Sequence, residues 1–207
     1  MLEQLQLEEG ILRHNPHNWF LFKNGAREGN EKMKPVIVMG IGGQPRKLLN
    51  ISQVVEDNIP TLKRFSGGGT VILDEDSILV SLICNVKESV ESIQKEPFPR
   101  PIMEWSGTGL YNQVFERVKK ESVKTFNYQN SVGINGPTFE EGRSPEGSFE
   151  LRENDYVFGN QKYAGNAQCI VKGRWLHHTS FLWDYKAENM ERSEEHTSEL
   201  QSRQYLV

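Results

Sequence analysis

Three adjacent glycines, Gly67-Gly68-Gly69, directly follow Arg64-Phe65-Ser66 and lead into Thr70-Val71, so the loop lies between two β-prone runs. With no Cβ atoms, this stretch lets a ligand lie against the main chain, and its amides can turn toward an anion. A bare triple glycine also fits a flexible hairpin turn. Such a turn needs only one or two residues at positive φ, however, and has no use for a neighbouring arginine. Around the loop, Thr61 to Phe65, Thr70 to Leu73 and Ile78 to Cys84 are short apolar or β-branched runs parted by Gly and acidic turn residues. They read as adjacent antiparallel strands.

Charge and composition bound what this loop can serve. Among 207 residues, 24 Lys+Arg against 28 Asp+Glu give a formal net charge of -4, which argues against nucleic acid as a partner. With 36% hydrophobic and 25% charged residues, the chain fits an ordinary soluble fold better than disorder or a coiled coil. No apolar run approaches a membrane span. Cys84 and Cys169 are too few for a disulfide scaffold, which suits a reducing compartment. The first thirteen residues carry three Glu and one Arg, unlike a mitochondrial presequence. The cytoplasm is therefore expected, and the mitochondrion only if the N-terminus is incomplete. At the other end, Arg192 to Val207 resembles translated sequencing-adapter read-through, is polar and aperiodic, and is expected to be disordered. One domain is expected over residues 1–191.

Periodicity places the main elements. Leu5, Ile11 and Leu12 recur at helical intervals between Leu2 and Leu12. Trp19 to Lys23 and Val36 to Met39 read as strands. Pro45 opens a helix running to Asn58, with Leu48, Leu49, Val54 and Val55 on one face. Pro101 begins a long helix whose apolar positions are Leu110, Val114 and Val118. Residues 122–148 are rich in Gly, Asn, Ser, Pro and Glu without period, and read as a flexible insertion. Tyr156 to Phe158, Gln168 to Val171 and Trp175 to Trp183 read as strands, and Lys186 onward as the start of a helix. The sum is an α+β domain with a mixed, mostly antiparallel sheet flanked by helices.

Two further motifs bear on chemistry. Asn154-Asp155 is followed by Gln161-Lys162-Tyr163-Ala164-Gly165-Asn166-Ala167-Gln168, so a lysine precedes a small-residue corner and its ammonium can reach a cleft floored by backbone. Alone, Lys162 reads as a surface lysine on a hairpin. His177-His178 falls in a strand, where successive side chains face opposite sides, so the two cannot share one metal. His14-Asn15-Pro16-His17 has metal-like spacing but no third ligand nearby, and no metal site is expected there. There is no nucleophile elbow, Walker lysine or Cys-x-x-Cys pair. Gly40-Ile41-Gly42-Gly43 lacks the last glycine of a dinucleotide fingerprint.

These features, in this order, resemble the biotin/lipoate ligase family, which contains lipoate-protein ligases and octanoyltransferases with a class II synthetase-like catalytic fold. The resemblance runs from about Leu2 to Glu191 and includes Leu7-Glu8-Glu9, Val38-Met39-Gly40, the Arg64 to Val71 loop, Asn154-Asp155, Lys162 to Gln168, and His177-His178. It implies that ATP activates lipoate or octanoate as an acyl adenylate, which a lysine of an acceptor protein then attacks. Lys162 matches the family's catalytic lysine. Substrate-binding positions carried over are Phe22 beside the acyl chain, Arg64, Ser66, Gly67, Gly68, Gly69, Val71, Asp155, Gly165, Asn166, Ala167 and His178. Asp155 is also the residue implied to position magnesium. No tightly bound cofactor is implied. The implied partners are lipoyl acceptor domains of 2-oxoacid dehydrogenase complexes or the glycine cleavage H protein.

The sequence departs from that pattern in places. Lys63 stands where a second Arg is frequent, Leu73 where a His is common, Ser77 where an Asn is common, and Thr179 replaces the glycine usual after the histidine pair. Leu73 and Ser77 each remove a polar group where nucleotide contacts are expected. Two other readings follow. One is an ATP-independent octanoyl or lipoyl transferase, with Cys169 as thioester nucleophile. The other is an acyl-binding module without turnover.

Overall fold

The apolar run Ile78 to Cys84 lies inside β5 (Ser77–Asn85), the strand that joins the two ends of the chain in one sheet. The computed structural model describes residues 1–25, 34–118, 120, 149–159 and 161–182. Six strands form the larger sheet in the order β1-β5-β9-β8-β7-β6, all antiparallel: β1 (Trp19–Asn24), β6 (Phe149–Arg152), β7 (Asp155–Phe158), β8 (Gln161–Val171) and β9 (Arg174–Leu182) accompany β5. A second sheet holds β2 (Val36–Met39) between β3 (Thr61–Lys63) and β4 (Thr70–Leu73), with β2 parallel to β3 and antiparallel to β4. The α+β class expected from the sequence is the one observed, with two sheets in place of one.

Helix α1 (Leu2–His14) covers one face of both sheets. Its Leu5 packs on Val36, Val38, Leu73 and Leu79, while Ile11 and Leu12 pack on Ile83 and Leu176. Helices α2 (Pro45–Leu48) and α3 (Ile51–Glu56) cover the other face of the small sheet, where Leu49 and Val54 meet Ile37, Met39 and Ile72. On the far face of the large sheet, α4 (Glu91–Lys95) and α5 (Pro99–Glu104) contribute Ile93 and Ile102 to a cluster with Leu82 and Trp175. Burying a side chain of this size contributes about 1.5–3 kcal/mol.

Several expectations need correction. The glycine loop does not close a hairpin, because β2 is hydrogen-bonded between β3 and β4, and β5 belongs to the other sheet. The helix expected from Pro45 to Asn58 is broken after Leu48, and Asn50 caps α3 by accepting from the Gln53 amide at 3.4 Å. Val55 consequently lies 72% exposed. The long helix starts at Pro99, two residues before the expected Pro101, and its buried face is Ile102, Met103, Ser106, Gly107 and Tyr111; Val114 and Val118 are exposed. A π-helical stretch, Trp105–Tyr111, resets the periodicity. Its i to i+5 bonding stacks residues five apart, so Ser106 and Tyr111 both face the sheet. Strand β8 begins at Gln161, not Gln168, and β6 was not foreseen. The insertion at 122–148, the helix from Lys186 and the tail at 192–207 lie outside the described residues. No helix among the described residues is long and apolar enough to cross a membrane.

Candidate functional site

The glycine loop of the small sheet docks on the open edge of β8. The Gly67 amide donates to the Gln168 carbonyl at 3.1 Å, and Gly40 is so close beneath that a Cβ there would sit 2.1 Å from the Gly68 oxygen. Gly68 has φ +100, a left-handed conformation, and an added Cβ would meet Arg64 Nη2 at 2.8 Å. Arg64 itself is buried. Its guanidinium donates to the carbonyls of Gly67, Gly69 and Val38 at 2.7–3.2 Å, bracing the loop from behind. The amides of Gly68 and Gly69 make no hydrogen bond among the described residues, leaving two donors on the loop.

A cavity of about 550 Å³ opens at this junction. Of the residues singled out in the sequence, Arg64, Gly67, Gly68, Gly69, Val71, Asp155, Lys162, Gly165, Asn166, Ala167 and His178 line it. Leu5, Val38, Leu73 and Leu79 give it an apolar wall. Lys162 Nζ lies 3.0 Å from Asp155 Oδ2, with the two side chains 21% and 32% exposed. The lysine is thus on the β7–β8 hairpin, as the sequence suggested, but it lines the cavity and is not an open-surface lysine. A Cβ at Gly165 would come 3.9 Å from Lys162 Cε and 3.8 Å from Asp155 Oδ1, which places Gly165 directly beside the pair.

Three residues expected at the site lie elsewhere. Phe22 is 60% exposed on the outer edge strand β1 and is not part of the cavity wall. Ser66 is fully buried behind the loop, where its carbonyl accepts from the Ile41 amide, and it too is off the wall. Cys169 packs with Ile11, Leu12, Phe65 and Leu176, away from the cavity, and burial pushes its thiol up. A thioester role has no geometry to support it. Ser77 proves to be a turn staple: its hydroxyl donates to Asp74 Oδ1 at 3.2 Å and accepts from the Asp74 amide at 3.1 Å.

The two histidines face opposite sides of β9. His178 looks toward α1, where its Nδ1 is 3.2 Å from Ser81 Oγ and 3.4 Å from Glu8 Oε2. The Ser81 hydroxyl donates to Glu8 Oε1 at 2.6 Å, so His178 Nδ1 carries a proton toward it, and Nε2 is an acceptor with no partner among the described residues. Glu8 is fully buried, and burial raises its carboxyl while driving the His178 imidazole down to about 3, with Arg64 and His177 adding to the latter. Both groups are thereby pushed to their neutral forms. Glu8 and Ser81 line the cavity; Glu8 figured only within the Leu7-Glu8-Glu9 resemblance, without a role, and Ser81 was not singled out. The signals were an acid on the apolar stripe of α1 and a serine inside an apolar strand.

His177 faces the π stretch and is fully buried. Gln168 Nε2 donates to its Nδ1 at 3.0 Å, and its Nε2 lies 3.1 Å from both Ser106 Oγ and Thr179 Oγ1. Burial lowers its imidazole to about 3 against an ordinary 6.5. Above pH 6.5 the ring is neutral in folded and unfolded chains alike; between 6.5 and 3 only the unfolded chain binds the proton. Stability is therefore expected to fall by about 1.4 kcal/mol per pH unit below 6.5 from this group. Urea denaturation at pH 7, 5.5 and 4 should show that slope reduced in His177→Gln; an unchanged slope would remove His177 as its source.

Residues 31–205 match the family described as the lipoyl protein ligase A/B catalytic domain. A Plasmodium falciparum protein named inactive lipoate-protein ligase 2 is 30% identical over 218 residues, covering 91% of this chain and 54% of its own. The chain thus spans about half the length of that relative. Two solved structures share the fold at 15% identity and a TM-score of 0.60: a Thermoplasma acidophilum protein with bound lipoic acid and a lipoate-protein ligase A bound with ATP. The alignments cover 92% of this chain in both cases, and 66% and 65% of the respective neighbours. The wall of glycine main chain, the Lys162–Asp155 pair beside it and these matches converge: the chain belongs to the lipoyl protein ligase A/B catalytic domain family.

Proposed function

We propose that the cavity holds lipoic or octanoic acid with its carboxylate beside Lys162, that ATP converts it there to an acyl adenylate, and that a lysine of a lipoyl acceptor domain takes the acyl group. One observation carries this reading. An ammonium paired with Asp155 stands in a cavity bounded by side-chain-free main chain and by an apolar wall. Buried in that slot, a fatty tail gains about 0.8 kcal/mol per CH₂.

In the first step a carboxylate oxygen bonds to the α-phosphorus of ATP, the bond from that phosphorus to the β-bridging oxygen breaks, and pyrophosphate leaves. Lys162 offsets the repulsion between carboxylate and phosphate and the charge that builds between them. The unbonded Gly68 and Gly69 amides are donors for the same oxygens. In the second step the neutral acceptor amine bonds to the acyl carbon, AMP leaves, and the amine loses one proton. Magnesium arrives with ATP as part of the substrate. No cluster of three metal-ligating side chains exists among the described residues, so phosphate oxygens would supply most of its ligands, with Asp155 as the carboxylate at hand. The acceptors are lipoyl domains of 2-oxoacid dehydrogenase complexes or the glycine cleavage H protein, met in the cytoplasm.

Incubating a purified lipoyl domain with this protein, lipoic acid and magnesium should raise its mass by one lipoyl unit only when ATP is present. Absence of any shift with ATP, while lipoic acid still binds, would favour the second reading, an acyl-binding module without turnover. That reading draws on Arg64, whose guanidinium bonds main-chain carbonyls, and on the name of the Plasmodium relative. ATP-independent transfer would show as modification from an octanoyl carrier protein without ATP. The place of Cys169, off the cavity wall, weighs against a thioester route for it.

A further inference from the structure

Asn166 and Thr179 are directly opposed across the β8–β9 ladder. Side chains alternate along β9, so Thr179 shares the face of His177, and the Asn166 side chain stands on that face, opposite to His178; both residues border the cavity. The Thr179 hydroxyl donates to Asn166 Oδ1 at 2.9 Å. It is itself held by the Tyr111 hydroxyl, which donates to Thr179 Oγ1 at 3.1 Å, and by His177 Nε2 at 3.1 Å. Tyr111 reaches this point because the π stretch turns both it and Ser106 toward the sheet, where Ser106 bonds Tyr156 and His177. The other end of the Asn166 amide is also used: Nδ2 donates to the Asn154 carbonyl at 2.9 Å. Asn154 leads directly into Asp155, the partner of Lys162.

From this chain of bonds we infer that Asn166 is a latch and Thr179 its catch, which together fix the Asn154–Asp155 turn and, through Asp155, the position of the Lys162 ammonium. Asn166 borders the cavity, and its side-chain amide is bonded at both ends, to Thr179 and to the Asn154 carbonyl. In this arrangement the Thr179 hydroxyl and the Asn166 amide act as positioning groups, through the Asn154 carbonyl. A glycine at 179 would leave Asn166 Oδ1 without this donor, and the link from Asn166 to the turn would be one bond from an amide free to rotate, beside the ladder pairs Arg152–Asp155 and Asp155–Gly165. The Asn154 carbonyl is on an exposed turn where water competes for the donor, so losing the preset amide orientation matters more than losing one bond's enthalpy.

The test joins a structural and a kinetic readout; the kinetic arm rests on the proposed ligase reading, the structural arm does not. In the wild-type protein the Asn166 side-chain amide should give two well-dispersed ¹H–¹⁵N resonances, one slowed in solvent exchange. Thr179→Val, close in shape but without the hydroxyl, should collapse that dispersion and speed exchange, and Thr179→Ser should restore it. In pyrophosphate release with lipoic acid and ATP, Thr179→Val should lower kcat about ten- to a hundred-fold with KM changed less than threefold, the signature of a misplaced catalytic group. Thr179→Ser should recover most of that loss. Where Thr179→Val fails to fold, because Tyr111 and His177 lose a buried partner, Asn166→Ala reads the same latch from the less buried side and should reproduce the kcat loss. An Asn166 amide unchanged in Thr179→Val, or Asn166→Ala with a kcat within twofold of wild type, would overturn the latch. If the wild-type protein forms no adenylate, the ligase reading falls and the amide resonances alone decide.

Discussion

Gly40→Ala is expected to cost about 3 kcal/mol or more of stability and to abolish acyl binding. The added methyl would stand 2.1 Å from the Gly68 oxygen and 3.1 Å from the Gly68 carbonyl carbon, both backbone atoms that no rotamer change can move aside. Relief requires the loop to lift from β2. That would break the Gly40 amide bond to the Gly69 carbonyl, at 3.2 Å, and strain the bond from Gly67 to Gln168 that joins the two sheets. Arg64, braced on Gly67, Gly69 and Val38, would lose its buried partners and leave a desolvated cation. Urea denaturation measures the first effect and calorimetric titration with lipoic acid the second. A midpoint shift equivalent to less than about 0.5 kcal/mol, the usual range for surface changes, would mean that the loop has slack.

Lys162→Ala is expected to lower adenylate formation about a hundred- to thousand-fold, the scale seen when one preorganised charge-stabilising donor is removed. Stability should move by less than about 1 kcal/mol, since the pair with Asp155 is partly exposed and its Coulomb gain is screened. This separation between rate and stability distinguishes a catalytic lysine from a structural one. Lys162→Arg keeps the charge but replaces a compact ammonium by a planar fork, and should recover only part of the rate. Pyrophosphate release and denaturation on the same samples provide both numbers. A variant retaining more than a tenth of the wild-type rate would deny Lys162 its assigned role.

The sequence exposed local chemistry better than pairing. The glycine loop, Lys162 and Asp155 were legible because each breaks a pattern: side-chain-free residues after an arginine, or a cation before a run of small residues. That they line one cavity depends on the Gly67–Gln168 bond between residues a hundred positions apart, which no local window contains. The loop was misread as part of a sequential set of strands because β2, supplied from earlier in the chain, enters between β3 and β4. Helical spacing failed at Val114 and Val118 because the π stretch before them shifts the face, and nothing in Trp105 to Tyr111 announces i to i+5 bonding. Glu8 and Ser81 were readable in principle. A carboxylate between Leu5 and Ile11, and a hydroxyl between Val80 and Leu82, are polar groups where burial demands partners. Phe22 was carried over from a family position, and its exposure on β1 shows that a matched residue need not bring its environment with it.

The central place of β5 also governs how this chain can mature on a ribosome. β5 gains its second neighbour only when β9, nearly a hundred residues later, has been synthesised. Until Arg174–Leu182 emerges, Ser81 lacks His178, Leu82 and Ile83 lack Trp175 and Leu176, and the nascent sheet presents an open edge of apolar strand. A product that stopped before β9 would keep this edge open and would lack His178, Thr179 and Ser180, which line the cavity.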